Sequence, residues 1–285
     1  MDSMAISTPT QGASERIQRL VDELKRLPAQ PNAAMRVLWA LDDSSTSAGE
    51  LARLVEADPA LSARIMQLAN TAQYGLFRRV SSAAHAIMVV GFVTVRALAV
   101  GSACGLFVDK KRSVPDGFWS HSAATAAAAS VVAEFTGAAM CDAFSAGILH
   151  DIGIALLFRE DPDDYDKVIE LVEKDGADLE VTEEQFLGVN HTWVAKAVLE
   201  AWNFPQPFVE AISSHHLLPE NVDPLSKAVI AGRSYANRLG YVMTYDEPTD
   251  DTVITQCTGL EGERIEEIGQ RVQEQIDELA ALFSW

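Results

Sequence analysis

Apolar residues recur at intervals of three and four along this chain, and two-residue alternation bounded by turn signals is almost absent. Spacing of three and four puts side chains on one face of a helix, whereas a half-buried strand needs alternation. The pattern predicts an all-α protein built from short helices. Ile17, Leu20, Val21, Leu24 and Leu27 form a first stripe that Pro28 stops, and Pro31 opens a second helix with Met35, Leu38, Trp39 and Leu41 facing inward. Ser47 and Glu50 have capping-box spacing, in which hydroxyl and carboxylate each satisfy a free backbone N–H. Asp58 precedes Pro59, a capping carboxylate ahead of a proline at the first helical position. Leu61, Ile65, Leu68 and Ala69 follow on that helix, which is predicted to end near Gly75. Ser81 or Ser82 caps the next helix, Gly91 interrupts it, and another runs to about Phe107.

These segments divide the chain. Residues 1–13 read as a disordered tail and residues 14–108 as an N-terminal helical lobe. The polar stretch 108–117, with Pro115, is a linker candidate. Residues 115–240 form a second helical lobe, and residues 241–285 an acidic loop with an amphipathic C-terminal helix. The second lobe opens on His121 and a run of alanines, whose small side chains let neighbouring backbones approach closely. Residues 159–184 carry 12 acids against three bases, which reads as a solvated face. Ile265, Ile268, Val272, Ile276 and Leu279, with Leu282, make one apolar stripe. It either docks on its own chain or serves a partner or homodimer interface.

Charge narrows the function. With 22 Lys+Arg against 41 Asp+Glu the chain carries −19, which argues against nucleic-acid partners and anionic membrane surfaces. The compact basic clusters are Arg78-Arg79 and Lys110-Lys111-Arg112, candidate anion or nucleotide contacts. Three distant cysteines without a CxxC fit reduced thiols and a cytoplasmic location. No basic segment followed by an apolar run opens the chain, so no secretory signal is expected. The apolar stretches at 83–108 and 123–133 are Ala-rich or interrupted by polar residues and do not read as membrane spans.

Six histidines remain. His85 reads as structural. His121, His150, His191, His215 and His216 fall in the second lobe, and Asp151 follows His150 directly. Imidazole and carboxylate together suit a divalent Zn, Fe or Mn ion. Adjacent helical residues diverge by about 100°, so His150 and Asp151 reach one ion only at a helix bend or end, which Gly153 permits. The competing reading is a polar network of neutral imidazoles bonded to Asp151 and the backbone.

The surrounding text resembles the HDOD family, a branch of the HD phosphohydrolase superfamily similar to HD-GYP domains. In the N-terminal half the likeness rests on Leu-Pro-Ala-Gln-Pro (27–31), Asp-Pro-Ala-Leu-Ser-Ala-Arg-Ile (58–65), Leu-Ala-Asn-Thr-Ala-Gln-Tyr-Gly (68–75), Ala-Ile-Met-Val-Val-Gly (86–91) and Val-Arg-Ala-Leu-Ala (95–99). In the C-terminal half it rests on Phe-Trp-Ser-His-Ser (118–122), Gly-Ile-Leu-His-Asp-Ile-Gly (147–153), Gly-Val-Asn-His (188–191), Trp-Asn-Phe-Pro (202–205) and Ala-Ile-Ser-Ser-His-His (211–216). The resemblance implies two all-α lobes, the second HD-like, and a bacterial signalling or output module working by protein–protein contact without catalysis. It maps the first three HD ligands to His121, His150 and Asp151. It puts the missing closing Asp at Gly232, leaving a vestigial site that holds no metal or a single ion. His191, His215 and His216 occupy, in order, places like those of the second-metal histidines of HD-GYP phosphodiesterases. The lysine expected after His-Asp-Ile-Gly is Ile154, and no Gly-Tyr-Pro follows. The alternatives are a metal-dependent phosphohydrolase or phosphodiesterase acting on a (cyclic di)nucleotide, and a nucleotide sensor that does not hydrolyse.

Overall fold

The computed structural model describes residues 9–25, 33–43, 45–71, 74, 79–103, 114–217, 222–243 and 251–283. Among them every regular element is a helix: α1 (Gln11–Lys25), α2 (Ala33–Asp42), α3 (Ala48–Glu56), α4 (Pro59–Ala69), α5 (Ala83–Ala103), α6 (Phe118–Thr136), α7 (Met140–Leu149) and α8 (Ile152–Glu160). They continue as α9 (Pro162–Asp175), α10 (Leu179–Leu187), α11 (His191–Ala201), α12 (Gln206–Ser213), α13 (Pro224–Arg238), α14 (Asp251–Thr258) and α15 (Glu263–Phe283).

The punctuation read from the sequence is present. Ser47 and Glu50 close a reciprocal capping box at α3, and Asp58 Oδ1 accepts from the Leu61 N–H at 3.0 Å. Ser82 Oγ accepts from the His85 N–H at the start of α5, and His85 itself is exposed. Gly91 bends α5 at φ 81°, ψ 161°. Three details differ. The first helix starts at Gln11, where Thr10 Oγ1 accepts from the Ala13 N–H and Ala13 is buried, so residues 11–13 belong to the fold rather than to a tail. Trp39 is not inward but 55% exposed, because α2 buries Ala34, Val37 and Leu38 on the opposite side. Helix α4 stops at Ala69. Pro28, Pro31, Gly75 and Phe107, and the side chains of Leu24, Met35 and Leu282, lie outside the described residues.

α6 is the axis of the site-bearing part. It packs on α7, α13 and α15, while α2, α3 and α4 pack on α5, and α5 packs on α7. Ala123, Ala124 and Ala126–Ala129 are all buried. Opposite them stand glycines: a Cβ on Gly147 of α7 would lie 2.6 Å from Ala126 Cα, and one on Gly232 of α13 would lie 2.7 Å from Ala129 N. Three helices thus meet backbone to backbone.

α15 covers this unit. Ile265, Ile268, Val272, Ile276 and Leu279 are all buried, and the helix packs on α6 and α4. The stripe offered as an interface is therefore covered by its own chain. Arg271 pairs with Glu134 at 2.8 Å along the same contact. Apolar packing is continuous from Ala13 to Leu279. Among the described residues one stretch, Met140–Glu160, is long and apolar enough to cross a membrane, but 89% of its most apolar window is buried inside the protein as core.

Gly147→Ala is expected to destabilise the protein by about 1–3 kcal/mol, the usual overpacking cost. Gly12→Ala, where nothing lies within 4 Å of an added Cβ, should be neutral or slightly stabilising. Paired urea melts of the two variants check the contrast.

Candidate metal centre

The helical run breaks where the chemistry sits. α7 ends at Leu149, Asp151 turns at φ −101°, ψ 20°, and α8 restarts at Ile152. His150 and Asp151 can then face the same space. Gly153 is needed for a different reason than flexibility: a Cβ there would stand 1.9 Å from the His191 carbonyl oxygen. Its bareness lets α8 touch the first residue of α11, which brings His191 to Asp151.

Four imidazoles are oriented by their Nδ1 atoms. His121 Nδ1–H donates to the Tyr241 carbonyl at 2.7 Å, His150 Nδ1–H to Gly147 O at 2.8 Å and His215 Nδ1–H to Ile212 O at 2.6 Å. His191 Nδ1–H donates to Glu183 Oε2 at 2.7 Å. In the neutral ring, a proton fixed on Nδ1 leaves Nε2 to present a lone pair, the usual arrangement behind metal-ligating histidines; His191 reaches that state only on losing its second proton. All four Nε2 atoms converge on Asp151. Its Oδ2 lies 2.9 Å from His150 Nε2 and 3.6 Å from His121 Nε2, and its Oδ1 lies 3.2 Å from His215 Nε2 and 4.0 Å from His191 Nε2. His121 and His150 face each other Nε2 to Nε2 at 3.1 Å, as do His191 and His216 at 3.0 Å.

Glu183 anchors one side. Its Oε2 also accepts the His191 backbone N–H at 2.8 Å, and its Oε1 accepts from the Tyr165 hydroxyl. Burial would push His191 down, but the Glu183 charge and hydrogen bond, then Asp151, raise it to about 9. Burial, then the charges of His215, Arg233 and His191, hold His216 well below the ordinary histidine value. His191 is therefore cationic at neutral pH and donates from Nε2 to a neutral His216. Burial also acts to raise Asp151, but His150 and then His215 outweigh it and hold the carboxyl well below the usual range.

These donors fit divalent ions. Two Nε2 ligands at about 2.1 Å from one ion stand roughly 3.0–3.4 Å apart, as both imidazole pairs do. Asp151 Oδ2 and His215 Nε2, both buried, have no hydrogen-bond partner within the chain, although each lies beside the other members of the cluster. Buried unsatisfied polar atoms call for an ion or another partner. The ligand atoms fall into two sets, His121–His150–Asp151 and Asp151–His191–His215–His216. The sequence suggests at most a single ion; the geometry offers two ligand sets sharing one carboxylate.

All six residues proposed as ligands are thus brought together. Gly232 is not beside them. It abuts Ala129, which stands eight residues from His121 on α6, about 12 Å along the axis. The glycine is required there by helix packing. Of the basic clusters, Arg79 is exposed beside a cavity of about 410 Å³ lined also by Asn70, Thr71 and Glu278; Arg78, Lys110, Lys111 and Arg112 lie outside the described residues. Sequence reasoning singles out neither Glu183 nor Tyr165, and it groups Glu183 with a solvated acidic face. The burial of Glu183 follows from the inward spacing Leu179, Thr182, Glu183 on α10, a pattern visible in the sequence. Others of those acids do cap or pair: Asp161 and Asp178 cap α9 and α10, and Glu160 pairs with Arg16 at 2.6 Å.

Fold and site together define an all-α protein with a buried histidine–carboxylate centre. The chain belongs to the HDOD domain family, whose family model matches residues 27–218. A solved structure named "Putative phosphohydrolase", from Shewanella amazonensis SB2B, is similar at 23% identity and TM-score 0.68, covering 93% of this chain and 97% of that one. A "Putative signal transduction protein" from Marinobacter aquaeolei VT8 is similar at 24% identity and TM-score 0.69, covering 96% and 66%. An HDOD domain protein with unknown function from Geobacter sulfurreducens has 24% identity and TM-score 0.65, covering 94% and 99%. At these identities the likeness concerns the fold. An uncharacterized protein of Treponema pallidum (strain Nichols) is 23% identical over 220 residues, and this chain spans 43% of its length.

Two outcomes test the geometry. Because His191 is raised from 6.5 to about 9, the native state holds a proton that the unfolded state releases between those values. The stability from this group is complete below pH 6.5 and is lost as pH rises through 9. The metal-free melting temperature should fall across that window, and the fall should vanish in Glu183→Gln. Gly232→Asp should not improve metal retention; it should destabilise by several kcal/mol through overpacking against Ala129, seen as a lowered melt and unchanged metal content.

Proposed function

We propose that this protein is a bacterial signalling output module that acts through contact with a partner protein and does not hydrolyse a substrate, with the buried centre as its sensing or structural metal element. One observation carries this reading: the enclosure of the ligands. His121, His150 and His191 have no exposed surface, Asp151 and His215 have 2% each, and of the six only His216 is partly exposed. Hydrolysis needs an open coordination position and a path for substrate to an activated water; an enclosed centre suits an ion that is held. When loaded, the centre would supply electrostatic cross-linking among α6, α7, α11 and the residues after α12. His121, His150 and Asp151 would hold one ion; His191, His215 and His216, with Asp151 shared, would hold the other. Glu183 orients His191 and takes up its proton balance. The family membership, the neighbour named for signal transduction, Ile154 in place of the expected lysine and the net charge of −19 support the same reading. The division into lobes at residues 108–115 belongs to this proposal, with the second lobe as the metal-bearing one.

A second reading has its own support. A carboxylate placed between two ligand sets is how two-metal hydrolytic sites are built, which favours a phosphohydrolase or phosphodiesterase. Elemental analysis of the purified protein, with phosphodiester hydrolysis assays in added Mn²⁺ or Fe²⁺, separates the two. We expect up to two divalent ions per chain, loss of both in Asp151→Ala, and no turnover of cyclic dinucleotides. Turnover that disappears in Asp151→Ala would replace the signalling reading with the hydrolytic one.

A further inference from the structure

Arg96, on α5, reaches two helix ends at once. Nη1 donates to the Trp202 carbonyl at 2.8 Å, just past the end of α11, and Nη2 donates to the Leu41 carbonyl in the last turn of α2 at 3.1 Å. Its guanidinium carbon lies 5.8 Å from the centroid of the Phe204 ring. Carbonyls at a helix C-terminus lack intrahelical partners and carry the negative end of the dipole, so a cation is favoured at each. The forked guanidinium can serve both; an ammonium group is a point charge.

The far end of α11 is His191, held by Glu183 through ring and backbone and pressed against Gly153. The helix has 11 residues, about 16 Å of stiff rod. A shift of its first residue therefore reaches Trp202, where the chain turns through Asn203 at φ 53°, a left-handed conformation that Asn tolerates. On the other side of Arg96 stands α2. With α3 it borders a groove of about 420 Å³ lined by Arg36, Thr46, Glu50 and Arg53, and it exposes Trp39.

We propose that Arg96 is the joint that passes the state of the His191 side of the centre to α2. This rests on the proposed role of the centre and adds the route by which its state leaves it. The two bonds of Arg96 join the C-terminal carbonyls of α11 and α2, so a displacement of one helix end would be handed to the other there.

Hydrogen exchange in residues 33–57 of the full chain tests it as a double-mutant cycle: wild type, His191→Ala, Arg96→Gln and the double variant. With Arg96 present, His191→Ala should speed exchange in α2 by roughly tenfold, within the 5–150-fold span of typical coupling. In the Arg96→Gln background the same substitution should change α2 exchange by less than about twofold. Arg96→Lys, which keeps the charge but not the fork, should leave a partial response, and it replaces Arg96→Gln if that variant does not fold. An equal response in both backgrounds, or none with Arg96 present, overturns the joint. Elemental analysis of the wild-type sample is run alongside. A metal-free protein would remove the metal reading of the centre, while the exchange cycle still decides the joint.

Discussion

Everything at the centre depends on places where a helix has no room for a side chain. Gly147 against Ala126, Gly232 against Ala129 and Gly153 against the His191 carbonyl each bring backbones closer than any Cβ would allow. The first two set α7 and α13 on α6. That fixes His150 opposite His121 and brings the Tyr241 carbonyl, just past α13, to His121 Nδ1. The third sets α11 on α8 and brings His191 to Asp151. Interiors packed to crystal-like density transmit such constraints, because there is no void to absorb a displacement. The alanine face of α6 is what makes this convergence possible.

The electrostatics follow from that packing. Five imidazoles and two carboxylates are gathered away from water, and a buried charge is tolerated only when paired. Glu183 is matched by the proton on His191 and by Tyr165. Asp151 sits against imidazole Nε2 atoms at 2.9 and 3.2 Å, and any of these that lacks its proton turns a lone pair rather than a donor toward the carboxylate. Such a site gains from a cation more than a hydrogen-bonded polar network would. An ion at His191 Nε2 would have to displace the second ring proton, whose retention the Glu183 charge favours, so affinity and proton release would be linked. Glu183 thereby tunes the centre from outside the ligand set.

Much of this is legible in the sequence because it is written in local spacing. The capping box at Ser47–Glu50, the Asp58–Pro59 start, the break at Gly91 and the buried stripe of α15 need only neighbours within a turn or two to be read. So does the His-Asp pair with its flanking glycines. The centre as a set of six ligands becomes visible through the order of motifs, since nothing in the local pattern says that residues 121 and 241 meet. Glu183 is hidden among acids whose others cap and pair at the surface; only the inward register of α10 separates it from them. Trp39 misleads because an indole on an amphipathic helix is expected inside, and α2 has enough apolar surface in Ala34, Val37 and Leu38 to do without it. Glycines 147, 153 and 232 read as flexibility or absence, whereas each is a contact whose partner is distant in sequence.

This bears on how a degenerate site should be recognised. Counting ligands against a hydrolytic template treats Gly232 as a deletion, and from a deletion one infers lost metal. The packing reverses the order of inference. Position 232 is held at Ala129, two turns from His121, and cannot carry a side chain without prising α13 from α6. The imidazole sets converge without it, share Asp151 and are oriented by carbonyls and Glu183. In the reading proposed above, access rather than ligand count is what would separate such a centre from a hydrolytic one. Among its histidines only His216 is more than marginally exposed. The same close packing that gathers the ligands therefore also limits the room around Asp151.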